Sequence, residues 1–151
     1  MEYNTGINNF KLIDAQKDDC KKILELIKEI AKYEKMENAV IATEKSLYDS
    51  LFIKNRAKVI LAYENDILVG YMLYFYNFST FTGCRNIYLE DLFLLKEYRN
   101  KGYGSIMLKQ LAKIAVVENV KRIDWVCLNW NDPSLKFYKK IKAEAGFKEK
   151  K

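Results

Sequence analysis

The chain has 151 residues, half of them hydrophobic and 30% charged, a length and balance that fit one globular domain with a real core rather than a disordered segment. Histidine is absent, which excludes a Ser-His-Asp triad, a Cys-His pair and a His-ligated zinc; any acid or base is Glu, Asp, Tyr, Lys or Cys. The net charge is +6, but seven lysines from Lys136 to Lys151 face only Glu144 and Glu149, so the body is close to neutral and 145–151 reads as a solvated basic tail rather than a nucleic-acid surface.

Residues 1–9 lack the basic start and apolar centre of a signal peptide and read as a flexible start. No run approaches the roughly 18 apolar residues of a membrane span. Cys20, Cys84 and Cys127 have no C-x-x-C spacing and fit a reducing cytoplasm, as packing residues.

Phe10 to Ile13 forms a short first strand in this reading. Asp18 caps the helix that follows, with Cys20, Ile23, Leu24, Ile27, Ile30 and Ala31 as its apolar stripe. Tyr33, Glu34 and Glu37 cluster where that helix must turn, and Thr43 caps a second short helix through Leu51. Lys58 to Tyr63 and Ile67 to Tyr76 alternate as strands around Asn65-Asp66, a hairpin signal. The segment from Asn77 to Gly83 reads as a loop.

Ile87 to Met107 organises the rest. Ile87 to Leu95 is an apolar run, read as a mostly buried strand, and it carries Glu90 and Asp91. Charges seldom sit in such a strand without a partner or a task. A polar connection leads to Gly102-Tyr103-Gly104-Ser105. Met107, Leu108, Leu111, Ile114 and Ala115 then recur at helical spacing. Glycines let the backbone approach a ligand closely, and the first amides of a helix lack internal acceptors. With Arg99 and Lys101 alongside, this is an anion site suited to a phosphate. A Rossmann fingerprint needs a small residue where Met107 stands, and the P-loop Gly-Lys-Ser/Thr is missing. Arg122 to Leu128 gives a last strand, and Asp132 and Pro133 open a final helix carrying Leu135, Phe137, Tyr138 and Ile141. The element order is that of an α/β fold with a mixed sheet, mostly antiparallel and flanked by helices, with a right-handed crossover between the Glu90 and Trp125 strands.

Several blocks together carry a resemblance: Lys32-Tyr33-Glu34, the 77–81 loop, Tyr88-Leu89-Glu90-Asp91, Arg99-x-x-Gly102-x-Gly104 and Trp130-Asn131-x-Pro133-x-x-x-Phe137-Tyr138. On these residues the chain resembles the GNAT superfamily of N-acetyltransferases, of the spermidine/spermine (diamine) type, over nearly its whole length. The resemblance implies a single acyl-CoA N-acyltransferase domain over 1–151 and direct acetyl transfer from acetyl-coenzyme A to a primary amine. It implies no metal, and it implies a homodimer.

The same resemblance assigns roles. Glu90 is the base, acting through water, and Tyr138 the acid for the leaving thiolate. Coenzyme binding falls to Leu92, Phe93, Leu94, Arg99, Asn100, Lys101, Gly102, Tyr103, Gly104 and Ser105, with Asn131, Pro133 and Ser134 at the pantetheine arm. Acceptor binding falls to Tyr33, Glu34, Glu37, Glu90, Asp91, Asp124, Trp125 and Val126. The carboxylates call for a small polycationic amine: a polyamine, a diamine or a lysine-like amino acid. Two departures stand out. Asn100 and Lys101 replace the usual residues of the pyrophosphate loop. Lys142 replaces a glycine, and the family's last strand is missing after it, an open edge. A coenzyme-binding regulatory homologue and an acetyltransferase acting on protein amines remain the alternatives.

Overall fold

The computed structural model describes residues 1–127 together with Asn131, Pro133, Ser134 and Lys136. Expectations for Asp132, for Tyr138 and the rest of the final helix, for Lys142, for the missing last strand and for the 145–151 tail lie outside the described residues. Six strands form one sheet in sequence order: β1 (Glu2–Tyr3), β2 (Phe10–Asp14), β3 (Lys58–Glu64), β4 (Ile67–Ser79), β5 (Cys84–Leu94) and β6 (Ile123–Trp125). Every pair is antiparallel except β5 with β6, which is parallel and spans α3 (Tyr103–Val117) in the connection. The mixed α/β sheet expected from the element order is therefore present.

Helices cover both faces. α1 (Cys20–Tyr33) packs Ile23 and Leu26 against Leu61, Tyr71 and Phe93, with Leu51 joining just beyond α2 (Glu44–Tyr48). α3 packs Met107, Leu111 and Ile114 against Ile60, Met72, Ile87 and Leu89 on the other face. Alternation along β3 makes this possible: Val59 and Leu61 enter the first cluster, Ile60 and Ala62 the second. No helix among the described residues is long and apolar enough to cross a membrane.

Four local expectations need correction. Glu2 and Tyr3 pair with Ile13 and Leu12, and the Tyr3 hydroxyl donates to Asp14 Oδ1 at 2.7 Å, so a short strand precedes the one expected to come first. Asp19, not Asp18, stands at the helix start, accepting the Gln16 N–H at 2.7 Å ahead of a 3-10 turn. Leu26 is buried in α1, against Leu61, Tyr71 and Phe93, and Leu24 only partly. The 77–79 stretch continues β4, pairing Asn77 to Ser79 with Asn86 to Cys84, and only 80–83 turns. Asn65 and Asp66 turn as expected, both with positive φ (48° and 66°), the backbone of a tight hairpin. Thr43 caps α2 as expected, its Oγ1 accepting the Ser46 N–H at 3.0 Å.

Candidate active site

A single extra residue in β5 builds the acidic half of the site. Leu73 pairs with Asp91 but Tyr74 with Leu89, so Glu90 has no partner in β4. This is a β-bulge, and it inverts the alternation beyond it. Ile87 and Leu89 belong to the α3-side cluster, and past the bulge Leu92 and Leu94 do so again. Without the bulge Asp91 would follow Leu89 into that cluster. Instead it lies with Tyr71 and Phe93 on the α1 side, where the Tyr71 hydroxyl donates to Asp91 Oδ2 at 2.6 Å. Tyr71 is fully buried, and a hydrogen bond of this kind to a charged group stabilises by about 1.5–3 kcal/mol.

Glu34, the residue after α1, completes the group. Burial raises the Glu34 carboxyl above its usual range, and the charges of Asp91 and Glu90 raise it further. Burial likewise raises Asp91; the Tyr71 hydrogen bond opposes this and Glu90 adds to it. Three carboxylates thus repel one another in a partly dry place, which is the electrostatic signature of a cation site. The sign of its effect on stability follows. Both folded-state values lie above the unfolded ones, so the stability these groups contribute is complete below about pH 4 and is lost as pH rises through the raised values. Glu34→Gln is therefore expected to melt higher than the native chain at pH 7–8, with the gap closing towards pH 4. Melting curves across that range check it; a lower midpoint at pH 8 contradicts it.

The sheet opens beside the bulge. β6 pairs with β5 only through Ile87, Tyr88 and Leu89, ending at Trp125. Beyond that point, among the described residues, Asp91 to Leu94 have a partner strand on one side only. A cavity of about 60 Å³ occupies the opening. Its walls are Leu89 to Phe93 of β5, Trp125 to Cys127 after β6, Ile30, Tyr33 and Glu34 of the α1 end, and Asn131 and Ser134. A larger cavity of about 710 Å³ lies elsewhere, between the start of β3 and the later turns of α3, and takes in none of the expected site residues.

The helix start shapes the other half. Asn100 (φ 62°) and Gly102 (φ 82°) are left-handed, and Gly102 is the N-cap of α3. Asn is the side chain that tolerates such a backbone best after glycine, which explains how Asn100 serves in this loop. No side chain caps the helix, so among the described residues the first-turn amides have neither an internal acceptor nor a cap. The helix begins at Tyr103, so Gly104 and Ser105 lie in that first turn. Such an end suits an anion, and the absence of a capping side chain leaves room for a phosphate group.

The two loop cations are already engaged. Arg99 Nε donates to the Leu94 carbonyl at 2.8 Å, and its guanidinium lies 4.7 Å from the Tyr33 ring centre and 5.5 Å from that of Phe93. Lys101 Nζ pairs with Glu64 Oε2 at 3.1 Å, and the Tyr103 hydroxyl donates to the same carboxylate. These bonds hold Glu64 below its usual range, the Tyr103 bond first, and raise Tyr103 to about 12, burial first. Tyr103 also stacks on Phe10 at 3.8 Å, bracing the loop against β2.

Ten of the sequence-derived positions converge. Tyr33, Glu34, Glu90, Asp91, Leu92, Phe93, Trp125, Val126, Asn131 and Ser134 line one cavity. Arg99, bonded to Leu94 and stacked on Tyr33, connects the loop to it. Glu37 does not enter the lining; it opens an exposed 3-10 turn beyond α1. Asp124 is instead paired with Arg122, Nε to Oδ2 at 3.0 Å, and Pro133 is exposed. The reading missed Tyr71, Ile30 and Cys127. For Tyr71 no local signal exists, because its role depends on which residue of β5 the bulge turns towards it.

Comparisons with known proteins agree with this architecture. The sequence pattern of the acetyltransferase (GNAT) family matches residues 19–142. The chain is 35% identical over 139 residues to a thialysine N-epsilon-acetyltransferase of Sus scrofa, covering 86% of this chain and 81% of that protein. It is 32% identical over 142 residues to a spermidine/spermine N(1)-acetyltransferase-like protein of Homo sapiens, covering 89% of this chain but 20% of that longer one. Among solved structures, an integron cassette protein from the mobile metagenome of V. cholerae superposes with a TM-score of 0.77 at 28% identity, over 95% of this chain and 90% of the other. A helix end without a cap, a sheet split beside a bulge and this sequence match lead to one assignment: the chain belongs to the acetyltransferase (GNAT) family and is an N-acetyltransferase.

Proposed function

We propose that the cleft transfers the acetyl group of acetyl-coenzyme A to a primary amine of a small cationic acceptor: a lysine-like amino acid, a diamine or a polyamine. The carrying observation is that Glu34, Glu90 and Asp91 line one cavity beside the β5 bulge, where the charges of Asp91 and Glu90 raise the Glu34 carboxyl. A cationic acceptor relieves the mutual repulsion of those carboxylates, and its distal charge is what they read. The relative that acts on thialysine makes lysine-like amino acids the leading acceptor class.

Bound acetyl-coenzyme A supplies the activated acyl group. The amides of Tyr103, Gly104 and Ser105 hold its pyrophosphate, with Asn100, Lys101 and Gly102 shaping the loop, while Leu92 to Leu94, Asn131, Pro133 and Ser134 receive the pantetheine arm. An alkylamine with a pKa near 10 arrives as ammonium, and Glu90 takes its proton through water. A backbone amide near Leu92, beside the bulge, donates to the developing oxyanion. Tyr138, assigned by resemblance, returns a proton to the thiolate. The chain acts as a homodimer in the cytoplasm in this proposal, and light scattering tests the dimer.

Glu64 competes with the coenzyme for Lys101. Glu64→Gln is expected to bind coenzyme A about threefold more tightly, the scale of one exposed ion pair, with a steeper loss of affinity in salt. Titration calorimetry at two salt concentrations checks it, and weaker binding contradicts it.

The test of function is a panel: acetyl-coenzyme A with thialysine, lysine, putrescine, spermidine, spermine and a basic peptide, following free thiol. Turnover on at least one small amine is expected. A coenzyme-induced rise in melting point without turnover on any of them rejects the reading, and turnover on the peptide alone transfers it to protein amines.

A further inference from the structure

The last residue of α1 stands where the two halves of the proposed coenzyme site meet. The Tyr33 hydroxyl donates to Asn131 Oδ1 at 2.5 Å, and the same oxygen accepts the Ser134 N–H at 3.4 Å. Asn131 is 6% exposed, so its carboxamide is held in one orientation in a dry setting, where such bonds count most. The Tyr33 ring meanwhile carries the Arg99 guanidinium at 4.7 Å, a cation–π contact that fixes the plane of the group. Among the described residues Arg99 uses only Nε in a hydrogen bond to protein, to the Leu94 carbonyl. Its Nη donors are thereby presented in a fixed plane. One tyrosine thus ties the Arg99 loop to Asn131 across the opening between β5 and β6.

The family resemblance places Tyr33 with the acceptor residues. The geometry points elsewhere. We infer that Tyr33 is a positioning residue for acetyl-coenzyme A, holding Arg99 and Asn131 in the arrangement that receives the loop-bound and arm portions of that ligand together. This rests on the proposed function above. Glu34, one residue on, faces the acceptor carboxylates. The end of α1 therefore serves both ligands, with the ring on the coenzyme side and the carboxylate on the amine side.

Two variants separate the contacts. Tyr33→Phe keeps the ring under Arg99 and removes the bond to Asn131; Tyr33→Leu removes both. Tyr33→Phe is expected to raise KM for acetyl-coenzyme A by roughly fivefold, the scale of one net hydrogen bond. It should leave KM for the amine and the saturated kcat within about twofold. Tyr33→Leu is expected to raise the coenzyme KM further, by more than about tenfold once the cation–π contact is also gone. Asn131→Ala and Tyr33→Phe combined should be less than additive, since they remove the same bond. Melting points without ligand register any general loss of fold, which would move the amine KM and kcat as well.

A rise in KM for the amine with the coenzyme KM unchanged overturns the inference, as does full additivity with Asn131→Ala. If the native chain itself shows no thermal response to acetyl-coenzyme A, the proposed function fails and this inference with it. A native response that Tyr33→Phe leaves unaltered sinks the inference alone.

Discussion

Glu90→Gln is expected to lower turnover at pH 7 by about 10²–10³-fold, within the range general-base catalysis supplies. The substitution keeps the size of the side chain and the extra residue that makes the bulge, so the fold and the coenzyme site should be unchanged. Its rate should then recover with pH, gaining up to tenfold per unit until the amine loses its own proton near pH 10. The native enzyme should lose this steep dependence at lower pH, because the base does the work. Asp91→Asn should behave differently. Asp91 is anchored by the buried Tyr71 hydroxyl at 2.6 Å, and in the proposed function its charge reads the acceptor, so KM for the amine should rise by about tenfold or more with a smaller effect on kcat. Deleting Glu90 removes the bulge itself: alternation then runs from Leu89 to Asp91 to Leu92 without a break, one carboxylate is lost, and a folded but inactive chain is expected. Initial rates over pH 6 to 10 distinguish these cases. Unchanged kcat/KM for Glu90→Gln at pH 7 removes it from the base role.

Gly70→Ala is expected to be the most damaging added methyl group among Gly6, Gly70, Gly83 and Gly102. Gly70 lies opposite Leu94 in the β4–β5 ladder, just after Val69, an extra residue opposite the Ala62–Tyr63 step of β3. A Cβ there would stand 2.2 Å from the Phe93 carbonyl oxygen, 2.9 Å from Leu94 Cδ2 and 3.1 Å from Leu94 Cα. Two of these three are backbone atoms, so no rotamer change relieves the clash, and β4 must move away from β5. A destabilisation of about 3 kcal/mol or more follows from overpacking of this kind, about 10 °C in the melting midpoint of a chain this size. The damage is directed, because Phe93 and Leu94 are where the cleft floor meets the Leu94 carbonyl that anchors Arg99. Coenzyme affinity should fall along with stability. A midpoint within about 2 °C of the native chain, a shift smaller than about 1 kcal/mol would give, contradicts the packing argument.

Much of the active-site half of this protein is written locally. Gly102 before an apolar helical stripe predicts a loop feeding a helix start, and the structure puts a left-handed N-cap at that glycine. Asn65-Asp66 between alternating runs predicts the hairpin, and both residues have the positive φ it needs. Thr43 predicts a cap and forms one with Ser46. These features depend on a few neighbouring residues, whose backbone preferences do not change with what packs on them.

The rest depends on partners far away in sequence. That Glu90 and Asp91 line one cavity follows from how β4 registers against β5, since one extra residue inverts every side chain beyond it. That Lys101 is held by Glu64, 37 residues away, and Tyr33 by Asn131, 98 away, follows from which strand ends the fold brings together. That Glu2 and Tyr3 form an edge strand follows from a β2 edge left open to them. Residue types thus determined which chemistry this chain carries, because charge and backbone freedom are properties of single residues. Tertiary structure decided where that chemistry points, because strand register and side-chain partners are properties of pairs.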